Sequence, residues 1–161
     1  MRKKVPSILF VCLGNICRSP VAEAVMKKFY PFAARRIGSA GTSAYHVGEG
    51  ADGRMLQAAR AKGYDLSRHR ARQVKEADFA KYDLLLAMDY DNFLELKTLA
   101  RDSRLDVTAE IETFLENGNV PDPYYGGPSG FVRVIEIIER GCRRWGRRLG
   151  WDDEERRMRK D

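Results

Sequence analysis

Apolar and polar positions along the chain switch repeatedly between a period of two or a continuous apolar run and a period near 3.6. That is the pattern of a parallel sheet with helices on its faces. Ser7 to Cys12 is a continuous apolar strand. A helix is expected to begin at Pro20 with Ser19 as N-cap, because Val21, Ala22, Val25, Met26 and Phe29 form one apolar stripe. A second short strand fits Arg36 to Gly41. The next helix fits Gly53 to Lys62, where Met55, Leu56 and Ala59 share a face and Gly63 ends the turn. Tyr82 to Met88 contains Leu84-Leu85-Leu86-Ala87, a strand buried on both faces, and Asp89 stands at its end. A helix over Tyr90 to Ala100 and a weaker strand over Glu110 to Phe114 follow. A loop is then marked by Pro121, Pro123, Gly126, Gly127, Pro128 and Gly130. Phe131, Ile135, Ile138, Cys142, Trp145 and Leu149 recur at spacings of four and three, which predicts a long amphipathic helix. Asp152 to Asp161 is charged throughout and is expected to fray. No repeat or linker interrupts the pattern, so residues 1–161 read as a single domain with a charged C-terminal extension from about residue 150.

Composition narrows the class. A chain of 161 residues buries roughly 70% of the surface it would expose unfolded, enough to fold without disulfides or metal. Three cysteines, at 12, 17 and 142, are too few and too odd in number for a secreted disulfide scaffold and lack the spacing of a zinc cage. A reducing, cytoplasmic setting is expected. Arg2, Lys3 and Lys4 before Ile8 to Leu13 imitate a secretory leader, but the apolar stretch is short and runs into Asn15 and Arg18. No segment approaches the roughly 20 apolar residues of a membrane span. The net charge of +6 is concentrated near the two ends and is not interleaved with aromatics, which reads as a solvated basic face and not as a nucleic-acid surface.

The chemistry lies in Cys12-Leu13-Gly14-Asn15-Ile16-Cys17-Arg18-Ser19-Pro20, between a buried strand and a helix start. A strand-to-helix turn aims backbone N–H groups and the positive end of a helix at one point, which makes an anion site before any side chain is considered. Gly14 permits the close backbone that such a cradle needs. Leu13 to Ser19 would then supply the phosphate-binding groups. Cys12 and Arg18 can meet across the loop, the thiol at its centre and the guanidinium gripping two phosphate oxygens with a planar fork. Dipoles and positive charge favour the thiolate, the nucleophilic form. Ser19 can donate its hydroxyl to the same sulfur and improve it as a leaving group. Alone, a strand-end cysteine is more often a small hydrophobe; the strand, the glycine and the Ser-Pro helix start together change that balance.

Cys12 to Pro20 resembles the signature of the low-molecular-weight protein tyrosine phosphatases. The resemblance continues through Ser39-Ala40-Gly41-Thr42-Ser43, Ala71-Arg72-Gln73, Met88-Asp89 and Asp122-Pro123-Tyr124-Tyr125-Gly126, covering roughly residues 5 to 149 in order. It implies a flavodoxin-like α/β sandwich, a four-stranded parallel sheet with helices on both faces and the phosphate loop between the first strand and first helix. It implies no metal and no cofactor, and a phosphotyrosine-containing protein as substrate, acted on by a monomer or weak dimer. It also implies that Asn15, Ser19, Ser39 and His69 form a polar network supporting the loop. Read locally, Asp122 before Pro123 is an ordinary turn; the resemblance makes it the general acid that a phenolate leaving group requires. Tyr45, Tyr124 and Tyr125 are pocket aromatics or loop anchors; by resemblance Tyr45 and Tyr124 flank the pocket mouth and Tyr125 lies at the surface. Cys17, five residues from Cys12, is placed to form a reversible disulfide with it under peroxide, and Cys142 reads as packing.

Three other functions fit parts of this pattern. An arsenate reductase of the related fold would need two further redox cysteines, and only Cys142 follows the loop. A protein-arginine phosphatase shares most of the signature but by resemblance usually carries Thr where this chain has Ile16, whose side chain would face the pocket. A non-catalytic phosphotyrosine-binding module would be expected to lose Cys12, Arg18 or Asp122, and all three are present.

Overall fold

In the computed structural model, residues 4–124 and 126–160 are described. Four parallel strands are arranged in the order β2-β1-β3-β4: β1 Ile8–Cys12, β2 Ile37–Gly41, β3 Leu84–Ala87 and β4 Glu110–Thr113. Ile8 pairs with Ile37 and Leu84, and Cys12 ends opposite Gly41, so the C-terminal ends of the two central strands and β2 lie at one edge. Alternation along the strands divides the interior in two. Ile8, Phe10, Cys12, Leu84 and Leu86 face one core, and Leu9, Val11, Leu85 and Ala87 face the other. The first core is covered by α1 (Arg18–Phe29), α2 (Gly53–Ala61) and α5 (Pro128–Leu149); the second by α3 (Asp78–Lys81) and α4 (Tyr90–Arg101). This is the expected sandwich with helices on both faces. Packing on α5 is close because it carries Gly141 against the Phe114 ring and Gly146 against the Tyr30 ring, where a Cβ would collide.

Two local expectations are corrected. The first helix begins at Arg18, with Cys17 at the N-cap position and no side-chain cap, so Ser19 lies inside the first turn. Its hydroxyl is turned to the sulfur of Cys12 instead. The charged segment expected to fray is helical as far as it is described: Trp151–Lys160 is a helix, α6, and Asp161 lies outside the described residues. Trp151 is 2% exposed, packed edge-on against Tyr30 and Phe32, and the Tyr30 hydroxyl donates to Asp152 at 2.7 Å. Asp152, Asp153 and Glu154 occupy the first turn and Arg157, Arg159 and Lys160 the last, matching the helix dipole. Ion pairs Arg156–Asp153, Arg157–Glu154 and Arg159–Glu155 span single turns. The charge that reads as disorder in composition is thus arranged in helical pairs behind one aromatic anchor.

Candidate active site

The loop between β1 and α1 is shaped by Asn15, whose φ of 57° is the one left-handed non-glycine conformation among the described residues. That turn aims the Asn15 backbone N–H at Cys12 Sγ, 3.3 Å away. β2 packs against the back of the loop, and a Cβ on Gly41 would come within 2.7 Å of the Leu13 carbonyl oxygen. Backbone bonds hold the loop from several sides: Thr42 N–H to the Cys12 carbonyl at 2.9 Å, Ser43 N–H to that of Leu13 at 2.9 Å, and Asp52 N–H to that of Ile16 at 2.9 Å.

Behind the loop the side chains of Asn15, Ser19, Ser39 and His69 come together. The Asn15 amide nitrogen lies 2.8 Å from Ser19 Oγ and 3.1 Å from Ser39 Oγ, and its oxygen accepts from the Arg72 N–H at 3.0 Å. His69 Nε2 is 2.6 Å from the Asn15 carbonyl oxygen. Ser19 Oγ is 3.0 Å from Cys12 Sγ. Asn15 and Ser19 are wholly buried and stay outside the cleft lining; Leu13, Gly14, Ile16, Cys17 and Arg18 line it with Cys12.

Arg18 is 3% exposed, and its guanidinium is held by three groups from distant parts of the chain. Nη1 donates to Asp89 at 2.7 Å and to the Val120 carbonyl at 3.0 Å, and Nη2 stands 3.6 Å from the Asp122 carboxylate. Burial disfavours the charged guanidinium, but Cys12, the hydrogen bond to Asp89, and Asp122 outweigh it and raise its pKa. Asp89 does double work, since its other oxygen caps α4 by accepting from the Asn92 N–H at 2.7 Å. Sequence reasoning leaves Asp89 without a role, although an acid at the mouth of a buried strand beside an anion loop is the available signal.

The cleft encloses about 310 Å³. Cys12, Ile16, Cys17 and Arg18 line its depth and Tyr45, His46, Asp122 and Tyr124 its outer part. Tyr45 is 84% exposed and meets the cleft only at its mouth. Tyr125 lies outside the described residues. Asp122 Oδ1 accepts from the Tyr124 N–H at 3.1 Å, a short-range turn that fixes the carboxyl relative to the aromatic ring. Sequence reasoning misses two cleft neighbours. His46 packs its ring on Gly14, edge-on to Tyr45, and pairs with Glu49 at 2.8 Å. Arg54 lies over the Tyr124 and Phe131 rings at 5.4 and 4.7 Å. Neither belongs to an apolar stripe, so periodicity cannot single them out.

Cys12, Cys17 and Cys142 are free thiols. Burial pushes the Cys17 thiol strongly up, and the negative charges of Asp52, Cys12 and Asp122 add to it, so Cys17 stays protonated. Cys142 is wholly buried on α5 and sits 3.8 Å from the Ala22 carbonyl, in packing. The described residues contain no group of three or more His, Cys, Asp or Glu placed to hold a metal ion.

The sequence profile of a family described as low molecular weight phosphotyrosine protein phosphatase matches residues 7–155. The chain is 40% identical over 148 residues to the human (Homo sapiens) low molecular weight phosphotyrosine protein phosphatase, covering 85% of this chain and 91% of that protein. Its fold is similar to the crystal structure of a protein tyrosine phosphatase from Entamoeba histolytica, with TM-score 0.75 and 41% identity over 85% of this chain and 92% of the other. It is also similar to a Drosophila arginine phosphatase, with TM-score 0.79 and 30% identity over 88% of this chain and 96% of that one.

Proposed function

The chain belongs to the low molecular weight phosphotyrosine protein phosphatase family, and we propose that it hydrolyses phosphotyrosine in proteins through a phosphocysteine on Cys12. The observation that carries this reading is the convergence of Cys12, Arg18 and Asp122 on one cleft. Cys12 attacks phosphorus while the loop N–H groups and the Arg18 fork hold the equatorial oxygens as charge shifts. The arriving dianion takes over the guanidinium edge that Asp122 faces at 3.6 Å. Asp122 is then available to carry a proton to the phenolic oxygen. In the second step the same residue, now a carboxylate, takes a proton from the attacking water, and the sulfur departs with the Ser19 hydroxyl against it.

Tyr45, Tyr124 and Ile16 support a flat aromatic ester as the leaving group. We assign residues 1–161 to one phosphatase domain acting in the cytoplasm as a monomer or weak dimer. No described helix is long and apolar enough to cross a membrane.

The second reading, a protein-arginine phosphatase, is favoured by the likeness to the Drosophila arginine phosphatase and opposed by Ile16. Ile16 is 8% exposed and gives the cleft a branched apolar surface. Phosphoarginine would bury a polar guanidino nitrogen against it, costing roughly 1 to 3 kcal/mol without a hydrogen-bond partner. Turnover of a phosphotyrosine peptide beside a phosphoarginine peptide, with vanadate as competitor, tests the assignment. Phosphotyrosine should be preferred, and Ile16→Thr should move the ratio of kcat/KM toward phosphoarginine by about tenfold. A wild-type preference for phosphoarginine reverses the substrate class and leaves the covalent chemistry standing.

Cys17 supplies a redox branch. The Cys12 thiolate attacks peroxide and becomes a sulfenic acid as hydroxide leaves, and the Cys17 thiol then displaces water from that sulfur to form a Cys12–Cys17 disulfide. Inactivation by peroxide should reverse with dithiothreitol, and mass spectrometry should find that disulfide. Cys17→Ser should be active before oxidation and recover poorly after it; full recovery would make Cys17 a packing residue.

A further inference from the structure

A serine hydroxyl has a single hydrogen, so naming the group that accepts it fixes what the oxygen can do elsewhere. Ser39 Oγ lies 2.6 Å from Glu23 Oε1, a carboxylate that only accepts. The Ser39 hydrogen is therefore committed to Glu23, and toward Asn15 the same oxygen can only accept. Asn15 agrees with this direction: its oxygen is taken by the Arg72 N–H at 3.0 Å, which sends both amide hydrogens to the two serines. Ser19, accepting from Asn15, keeps its own hydrogen for Cys12 Sγ at 3.0 Å, with the Ala40 carbonyl a longer competitor at 3.4 Å.

We propose that Glu23, on the second turn of α1 and outside the cleft, is a positioning residue for catalysis: it orients the Ser39-Asn15-Ser19 hydrogen bonds so that the last hydrogen points at the Cys12 sulfur. The proposal rests on Cys12 being the nucleophile. Lys27 takes the second carboxylate oxygen at 2.6 Å in a partly exposed ion pair of small energetic weight, which leaves Oε1 to Ser39. Removing the acceptor frees the Ser39 hydroxyl to rotate, and the Asn15 amide loses the lone pair at which it aims. The step most exposed to that loss is the departure of sulfur from phosphorus. There the S–P bond breaks, water forms the new O–P bond, and the sulfur leaves as a thiolate steadied by the Ser19 hydrogen.

The test is stopped-flow turnover of p-nitrophenyl phosphate by Glu23→Leu, Glu23→Gln and Lys27→Ala, beside the inhibition constant for inorganic phosphate. Slowing only the second step lowers kcat and KM together, so Glu23→Leu should lose about fivefold in kcat with kcat/KM held within about twofold. Its burst of nitrophenolate and its phosphate inhibition constant should match the wild type. Glu23→Gln keeps an acceptor for Ser39 and should restore kcat; Lys27→Ala should stay near the wild type. Wild-type kcat in Glu23→Leu overturns the proposal. So does a parallel loss of kcat/KM and phosphate affinity, which means a disturbed loop, or failure of Glu23→Gln to rescue. If Glu23→Leu does not fold, a double-mutant cycle of Glu23→Ala and Ser39→Ala decides: once Ser39 has lost its hydroxyl, Glu23→Ala should cost nothing further, and full additivity overturns the relay. Labelling of Cys12 by iodoacetamide without loss of activity in the wild type would instead remove the underlying assignment of the nucleophile.

Discussion

Cys12→Ser is expected to abolish turnover while leaving the cleft able to bind vanadate or phosphate. The sulfur contributes the electron pair that forms the intermediate, and a serine hydroxyl at the same place is a far weaker nucleophile with no base beside it. The anion cradle is made by other groups: the loop N–H groups, the end of α1, and Arg18 held by Asp89 and Val120. None of these depends on the sulfur. Calorimetric titration of phosphate into the variant, alongside a turnover assay, separates the two functions. Measurable turnover by Cys12→Ser would remove covalent catalysis through this residue.

Asp122→Ala should lose about 10²-fold or more in kcat/KM on phosphotyrosine but much less on aryl phosphates whose leaving groups depart without a proton. The contrast follows from what the carboxyl does in the first step, which kcat/KM reports: it takes no part in the nucleophilic attack and acts where a basic phenolate must be protonated, whereas its part in the second step falls on all substrates alike. Its geometry limits the side effects of the substitution. Asp122 is exposed in a loop, and among the described residues its bonds are the local one to the Tyr124 N–H and the distant approach to Arg18. A Brønsted plot of kcat/KM against leaving-group pKa should steepen in the variant. An equal loss across leaving groups would argue for a binding role instead.

The sheet was legible because each of its strands carries a local sign. Leu84 to Ala87 is an unbroken apolar run; the Tyr82 N–H before it serves the end of α3, and after it the Met88 N–H still reaches the Val11 carbonyl at 2.9 Å before Asp89 caps α4. The phosphate loop was legible for the same reason, since Cys12 to Pro20 is contiguous. Arg18–Asp89 and Ser39–Glu23 are 71 and 16 residues apart, and pairs of that kind leave no period in the sequence. The network at Asn15 was reached by resemblance, and the resemblance named its members without the direction of their hydrogens. In the terminal helix charge density alone reads as solvation, whereas the order of signs and the single Trp151 decide its state.

The two tryptophans of the chain, Trp145 and Trp151, are both buried, on α5 and at the start of α6. Trp151 packs beside Tyr30, just past the C-terminal end of α1, while the cleft is built at the N-terminal end of that helix; twelve residues at about 1.5 Å each put roughly 18 Å between the two ends. The emission of Trp151 is therefore set by the helical cap and stands far from events at Cys12. Emission reports whether a variant is folded, and catalysis must be read by another signal, which allows the two to be recorded in one cuvette without interference.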